Sequence, residues 1–149
     1  MKLLSRTTVY AVRAMLYIAS SDHQQQYVPV RKIAGDLQIS FHFLAKILNQ
    51  LTQHNLLTSY RGPNGGIALA RSAAEITLMD IVAAMEGEDF FEGCLLQLPN
   101  CGDEKPCPMH AYWGQIRDQL KTVFQSTSLE ELGRKIKEEG LRLVHCPES

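Results

Sequence analysis

The 149-residue sequence has no apolar run that approaches the length of a transmembrane helix. Its first 22 residues are partly apolar, but Arg6 and Arg13 interrupt them and no small-residue cleavage pattern follows, which argues against a signal peptide. A phosphate-binding glycine loop, a catalytic-triad pattern and a nucleophile elbow are also absent. These absences predict a cytoplasmic protein without membrane contact that is not an enzyme.

Acidic residues are scarce in the first half of the chain. Residues 1–71 contain eight Lys or Arg against only Asp22 and Asp36, for a net charge of +6. Residues 72–149 contain seven bases against fourteen acids, for a net charge of −7. A basic half joined to an acidic half indicates a polyanion-binding surface on the first, although chance segregation of solvated charge would give the same pattern.

Residues 5–53 carry the periodicity of three helices. The first is predicted from Ser5, an N-cap residue, to about Ser20, and its apolar stripe consists of Val9, Val12, Leu16 and Ala19, widened by Tyr10, Met15 and Ile18. A second helix begins near Pro29. After a three-residue turn, Ser40 caps a third helix whose buried face is predicted to be Leu44, Ile47, Leu48 and Leu51. The last two helices describe a helix-turn-helix.

A β-hairpin is predicted directly after the third helix. The short alternating segments "LLTSY" and "GIALA" flank the stretch "RGPNGG", and Asn-Gly is a strong hairpin signal. A helix-turn-helix followed by a hairpin is a winged helix. The predicted fold class is therefore mainly α with a small β-hairpin, organised around a winged helix-turn-helix domain.

The second half is predicted to contain a long loop between helices. Thr77 and Asp80 form an acidic capping box that opens a fourth helix, which ends at Gly87, and residues 88–108 then lack periodicity. A fifth helix over residues 109–126 places Trp113, Ile116, Leu120 and Val123 on one stripe, and Ser128 with Glu131 opens a C-terminal helix. We divide the chain into a winged-helix DNA-binding domain (1–86), a cysteine-rich loop (87–108) and a helical region (109–149).

The helix-turn-helix and the hairpin supply candidate DNA-binding residues. The N-terminal residues of a recognition helix meet base edges in the major groove, basic residues near a helix N-terminus suit phosphates, and an arginine beside a glycine-rich wing suits a narrow minor groove. A solvated helix face is the alternative. The candidates are Arg31, Ser40, Phe41, His42, Phe43, Lys46, Arg61, Gly62, Pro63 and Asn64.

Three of the four cysteines, Cys94, Cys101 and Cys107, fall within fourteen residues, and His110 follows the last by three positions. Thiolates with an imidazole can complete a four-ligand metal site. Closely spaced cysteine pairs, common in zinc sites, are lacking here, and wider spacing suits an iron–sulfur cluster. Zinc and unliganded thiols remain alternatives, and Cys146 is interpreted as incidental.

Four segments of the chain together resemble one protein family: "SRTTVYAVRAMLYIA", "ISFHFLAKILNQL", "RGPNGGIALAR" and "CGDEKPCPMHAYW". From residue 1 to about 132 the chain is similar to the Rrf-two family of bacterial winged-helix transcriptional regulators, in particular to its IscR-like and NsrR-like iron–sulfur members. One departure is the six-residue gap between Cys94 and Cys101, where the family usually has five.

The resemblance implies a homodimer paired through the helix at 109–126 and bound to a palindromic operator in double-stranded DNA. It also implies that Cys94, Cys101 and Cys107 ligate an iron–sulfur cluster. His110 matches the fourth ligand of the IscR-like members, which implies a [2Fe–2S] cluster in preference to [4Fe–4S]. NsrR-like members draw an acidic ligand from the first helix of the partner subunit, whereas the corresponding stretch here, "SRTTVY", holds no carboxylate.

The leading hypothesis is thus a homodimeric transcriptional regulator that senses iron–sulfur, redox or nitric oxide status. One alternative is a redox or electron-transfer protein on a winged-helix scaffold, with the acidic residues 86–92 as a docking surface. The other is a DNA-binding regulator that uses zinc, or thiols alone.

Overall fold

The computed structural model describes residues 1–21 and 27–144, so Cys146 lies outside the described residues. The elements in chain order are α1 (Arg6–Ser20), α2 (Val30–Leu37), α3 (Phe41–Gln53), β1 (Leu57–Tyr60), β2 (Gly66–Leu69), α4 (Leu78–Glu86), α5 (His110–Ser126) and α6 (Leu129–Glu139). This order confirms the predicted fold class. None of these helices combines the length and apolarity that a bilayer crossing requires.

Helix α1 lies at the centre of the core and packs against α2, α3, α4 and α6. It begins as predicted, because the Ser5 hydroxyl accepts a hydrogen bond from the Thr8 backbone N–H at 3.2 Å. The predicted apolar stripe is partly wrong: Val9 is 38% exposed, whereas Ala11 and Ala14 are fully buried. Small alanine side chains let neighbouring helices approach closely, so they face the crowded centre although they add little hydrophobicity.

The helix-turn-helix consists of α2 and α3. Helix α2 ends at Gln38, which adopts a left-handed conformation with φ 56° and donates its backbone N–H to α2 carbonyls. Ser40 occupies the predicted N-cap position of α3, but its hydroxyl makes no capping hydrogen bond. The predicted buried face of α3 is confirmed: Leu44, Ile47, Leu48 and Leu51 are at most 1% exposed.

The predicted hairpin is confirmed, with β1 and β2 antiparallel and Leu57 opposite Leu69. A further pairing, which the sequence did not predict, attaches the hairpin to the segment before α2. Val28 and Ile67 exchange two backbone hydrogen bonds, each 2.8 Å long. The wing is therefore fastened to the helix-turn-helix by backbone pairing as well as by the apolar packing of Ile67.

Helix α6 returns to the winged-helix core. Leu129, its first residue, is fully buried, and its backbone N–H donates to the Ile76 carbonyl at 2.8 Å. A Cβ on Gly133 would lie only 3.2 Å from the Ala19 carbonyl oxygen, so the absence of a side chain lets α6 approach α1 closely. As predicted, Ser128 opens α6: its hydroxyl accepts from the Glu131 N–H at 3.2 Å.

Helix α5 has no buried residue in the single chain. On its predicted apolar stripe, Ile116 is 50% and Val123 is 53% exposed, and the neighbouring Tyr112 is 68% exposed. Phe124, on the same helix, is partly covered, because its ring packs edge-on against the buried Phe91 with centroids 5.1 Å apart. The helix thus presents an uncovered apolar face.

Replacing Thr77 by alanine should lower the free energy of unfolding by about 1 kcal/mol, the usual effect of losing an N-cap. The Thr77 hydroxyl accepts from the Asp80 N–H at 3.2 Å, and the Asp80 carboxylate accepts from the Thr77 N–H at 3.0 Å. Urea denaturation followed by circular dichroism measures the difference. Thr77→Ser keeps the hydroxyl and should unfold like the natural protein; equal destabilisation by both substitutions would contradict the capping role.

Candidate functional site

The outward face of α3 carries two exposed candidate residues, His42 and Lys46. Ser40, just before the helix, is exposed as well, and its hydroxyl makes no capping hydrogen bond, so it can donate to another group. Within residues 1–21 and 27–144, neither Lys46 nor the wing residue Arg61 pairs with a carboxylate. Exposed hydrogen-bond donors on α3, together with cations on α3 and on the wing, are the groups that contact DNA bases and phosphates.

The two aromatic candidates on α3 are half-buried and packed on neighbouring side chains. The Arg31 guanidinium lies 4.6 Å from the Phe41 ring centroid, so Phe41 holds that arginine at the start of α2 by a cation–π contact. The Phe43 ring packs edge-on against Tyr10 of α1 with centroids 5.6 Å apart. Both rings therefore pack within the chain, Phe41 against Arg31 and Phe43 against Tyr10.

The tip of the wing presents Arg61, Gly62, Pro63 and Asn64, all exposed. The turn is closed by a 3.0 Å hydrogen bond from the Gly65 N–H to the Gly62 carbonyl. A Cβ on Gly65 would stand 2.2 Å from the Tyr60 carbonyl oxygen, so this position excludes any side chain. The narrow turn projects Arg61 and its neighbours away from the core.

The three clustered cysteines converge in space. The sulfur atoms of Cys94, Cys101 and Cys107 lie within 4.8 Å of one another, and those of Cys94 and Cys107 are 3.4 Å apart. All three side chains are half-buried and none forms a disulfide. Three convergent thiols on a loop form a donor set suited to a soft or borderline metal centre.

The thiols differ in their affinity for protons. The Leu98 backbone N–H lowers the pKa of Cys94 to about 7, with smaller help from the Cys107 thiol, while burial opposes the shift. The pKa of Cys101 is raised: the Cys107 backbone N–H lowers it, but burial and the two nearby sulfur atoms outweigh that effect. Adjacent negative charges disfavour one another, so a bound cation would stabilise full ionisation of the three thiols.

His110 is brought to the edge of the thiol group. Its Nδ1 atom lies 3.6 Å from the Cys101 sulfur, and its Nε2 atom lies 3.0 Å from a carboxylate oxygen of Asp103. A histidine that ligates a metal through one nitrogen commonly donates its other N–H to a carboxylate. Asp103 was not predicted from the sequence; the signal that could have found it is its place in the same loop, seven residues before His110.

The first residues of the cysteine loop contact α5, and Glu86, just before the loop, contacts the start of α1. Arg117 donates to the Gly93 carbonyl at 3.2 Å, and Lys121 pairs with Glu92 at 3.1 Å. Glu86, at the end of α4, accepts from the Ser5 N–H at 3.1 Å and from the Thr8 hydroxyl at 2.7 Å. Two carboxylates of the predicted docking surface at 86–92 are thus engaged within the chain.

Comparison with known proteins finds relatives among transcriptional regulators. The Rrf2 (Rrf-two) family model, described as "Iron-dependent Transcriptional regulator", matches residues 4–135. The HTH-type transcriptional regulator IscR of Photorhabdus laumondii is 33% identical over 123 residues, covering 83% of this chain and 74% of that protein. Protein aau3 of Rhizobium meliloti is 42% identical over 130 residues, and the match covers 87% of this chain and 83% of that protein.

Among solved structures, CymR of B. subtilis, titled the global cysteine regulator, has a TM-score of 0.71 and 28% identity, and the match covers 87% of this chain and 95% of that one. The names of these regulators confirm a DNA-binding function over an enzymatic one. With its matching fold and its family match over almost the whole chain, the protein belongs to the Rrf2 family of winged-helix transcriptional regulators.

Proposed function

We propose that this regulator is a cytoplasmic homodimer that binds a palindromic operator and senses iron–sulfur, redox or nitric oxide status through an iron–sulfur cluster. The observation that carries the proposal is the convergence of three thiols, within 4.8 Å, on the loop that leads directly into α5. We further propose that the chain divides into a winged-helix DNA-binding domain (1–86), a cysteine-rich cluster-binding loop (87–108) and a region that holds the dimerisation helix and the C-terminal helix (109–149).

The proposed ligands are Cys94, Cys101, Cys107 and His110. The donor set fits such a group, because thiolates predominate in iron–sulfur ligation and an imidazole can replace one of them. The Asp103 carboxylate would fix the His110 ring with Nδ1 toward the sulfur atoms. The resemblance of His110 to the fourth ligand of the IscR-like members favours [2Fe–2S] over [4Fe–4S]. When bound, the cluster supplies a redox-active centre; iron, acid-labile sulfide and zinc analysis of anaerobically purified protein separates it from zinc.

The proposed DNA surface consists of α3, the start of α2 and the wing. Ser40, His42 and Lys46 would meet base edges or phosphates, and Arg61 would enter the neighbouring minor groove. Phe41 would keep Arg31 turned toward a phosphate, since the two side chains are in cation–π contact. Phe43 would add apolar contact to a thymine methyl group, and Gly62, Pro63 and Asn64 would bring the wing backbone near the duplex.

The proposed dimer contact is the uncovered apolar face of α5. Exposed apolar residues in a row along a helix are typical of a surface that a partner covers. A two-fold dimer would place two copies of α3 about 34–36 Å apart, one turn of DNA, so the operator would be palindromic. Because α5 begins at His110 and holds Gly93 through Arg117, a reordered cysteine loop would change the position of α5 and hence the spacing of the recognition helices.

The DNA-binding surface is tested with the variant Arg61→Gln. It should weaken binding to a mixed-sequence duplex about tenfold, equivalent to about 1.4 kcal/mol, because a cation at the wing tip is lost. Phosphate attraction does not depend on base sequence, so no known operator is needed. Fluorescence anisotropy measures the affinity.

The matched control is Arg134→Gln, which removes an exposed arginine from α6 in the acidic half of the chain and should leave the affinity unchanged. Equal losses for Arg61→Gln and Arg134→Gln would mean that total charge, and not the wing, governs binding.

A further inference from the structure

We infer that Arg6 and Arg13 on α1 form a second phosphate-binding surface, which contacts the backbone of the same DNA duplex that α3 engages. Together with the ring of Tyr10 between them, these residues are called the α1 arginine patch. The inference rests on the proposed function, because it extends the DNA surface to a helix that neither the helix-turn-helix nor the wing includes.

The α1 arginine patch occupies a single face of α1. Arg6 precedes Tyr10 by four residues and Arg13 follows it by three, so all three side chains share one face of α1. The guanidinium carbons lie 5.8 Å and 5.7 Å from the Tyr10 ring centroid, within the range of cation–π attraction. Two flexible cations are thus held over one ring, which lowers the conformational entropy that binding an anion would cost.

The α1 arginine patch contacts the recognition helix α3. The Tyr10 ring packs edge-on against Phe43, with centroids 5.6 Å apart and planes at 77°. Phe43 lies in the first turn of α3, the end of a recognition helix that enters the major groove. The α1 arginine patch therefore adjoins the base-reading residues, where a duplex seated on α3 presents the phosphates that border the groove.

The α1 arginine patch is positively charged. In the described part of the chain, neither Arg6 nor Arg13 pairs with a carboxylate, whereas Lys32, Arg71 and Lys121 each have an acidic partner at 3.1–3.6 Å. Arg142, from the segment after α6, lines the same surface cavity as Arg13 and adds a third positive charge nearby. Cations gathered without acidic partners provide the charge that DNA phosphates neutralise on binding.

A protein surface is the competing partner. Residues 72–149 carry a net charge of −7, so the patch could instead contact the acidic half of another copy. Tyr10 and Phe43 favour DNA, because they connect the patch to the recognition helix and not to the uncovered face of α5. The two partners differ in a measurable way, since only duplex binding releases counterions from phosphates.

The test compares the natural protein with the double variant Arg6→Gln/Arg13→Gln in anisotropy titrations with a mixed-sequence duplex of ~30 base pairs, about three helical turns. The titrations run from about 50 to about 200 mM salt. The slope of log affinity against log salt is negative, and its magnitude should decrease by about 0.9 for each lost arginine–phosphate contact. Arg6→Lys/Arg13→Lys keeps both charges and should keep the slope, and Arg134→Gln controls for lost charge elsewhere.

An unchanged slope in the glutamine double variant, while the natural protein binds the duplex, would overturn the inference and leave the proposed function intact. So would an unchanged slope accompanied by weaker self-association in sedimentation, which would assign the patch to protein contact. If the natural protein bound no duplex at any salt concentration, the proposed function would fail first. Circular dichroism checks folding, and a slope lost equally in the lysine variant would also contradict phosphate contact through charge.

Discussion

Alanine at Cys94, Cys101 or Cys107 should reduce the iron of anaerobically purified protein from a stoichiometric amount to background. Each substitution removes one of three sulfur ligands that lie within 4.8 Å of one another. The remaining donors cannot close a four-ligand set, and iron–sulfur clusters depend on thiolate ligands. Iron and acid-labile sulfide analysis, together with the visible absorption spectrum, measures the loss directly.

The control for the cysteine series is Cys146→Ala, which removes the fourth thiol of the chain and should leave the iron content unchanged. Asp103→Asn should have an intermediate effect, weakening metal retention about 10–100-fold, as changes beside a ligating histidine usually do. A natural protein that is colourless and free of iron even after reconstitution would contradict the proposed cluster. A variant such as Cys101→Ala with full iron and an unchanged spectrum would remove that thiol from the ligand set.

The same variants show whether metal occupancy controls DNA binding. If Cys94→Ala and the cluster-loaded natural protein differ at least tenfold in affinity for any candidate operator, the coupling free energy is about 1.4 kcal/mol or more. The described contacts offer a physical route for this coupling, from the cysteine loop through Arg117 to α5 and through Glu86 to the start of α1. Equal affinity for every candidate operator would reject the switch.

The helix boundaries could be predicted because their signals are local. Ser5 and the Thr77–Asp80 capping box each satisfy backbone groups within three residues, so the sequence alone indicates where α1 and α4 begin. The buried face of α1 was harder to predict, because hydrophobicity alone favours Val9 over Ala11. Which face is crowded depends on four neighbouring helices, and close approach there selects alanine.

The pairing of Val28 with Ile67 could not be predicted from the sequence, since the two residues are far apart in the chain and neither carries a distinctive pairing signal.

The geometry of the cysteine loop could not be predicted either. Its residue types predicted a metal site, but a segment without helical or strand periodicity does not indicate the distances between its side chains. Its position is set by non-local contacts, such as Phe91 against Phe124 and Arg117 against the Gly93 carbonyl. The pairing of Asp103 with His110 depends on the same folding of the loop.

Gly66 lies where the wing is attached to the segment before α2. Gly66→Ala should lower the free energy of unfolding by about 4 kcal/mol, the combined size expected for overpacking and local backbone strain. A Cβ on Gly66 would stand 2.2 Å from the Val28 carbonyl oxygen and 2.4 Å from its carbon. Both are backbone atoms held by the two hydrogen bonds between Val28 and Ile67, so the clash cannot be relieved by a rotamer change. Urea denaturation measures the loss.

Gly35→Ala is the matched control, because the two substitutions add the same methyl group in opposite surroundings. Gly35 lies inside α2, and apart from the adjacent residues and the backbone of the same helix no atom lies within 4 Å of the added carbon, so alanine should stabilise the helix by about 0.5–1 kcal/mol. Gly66→Ala should also weaken duplex binding, since separating the hairpin from Val28 displaces Arg61 at the wing tip. If the variant unfolded at the natural urea concentration and bound the duplex normally, the wing would not depend on this backbone contact.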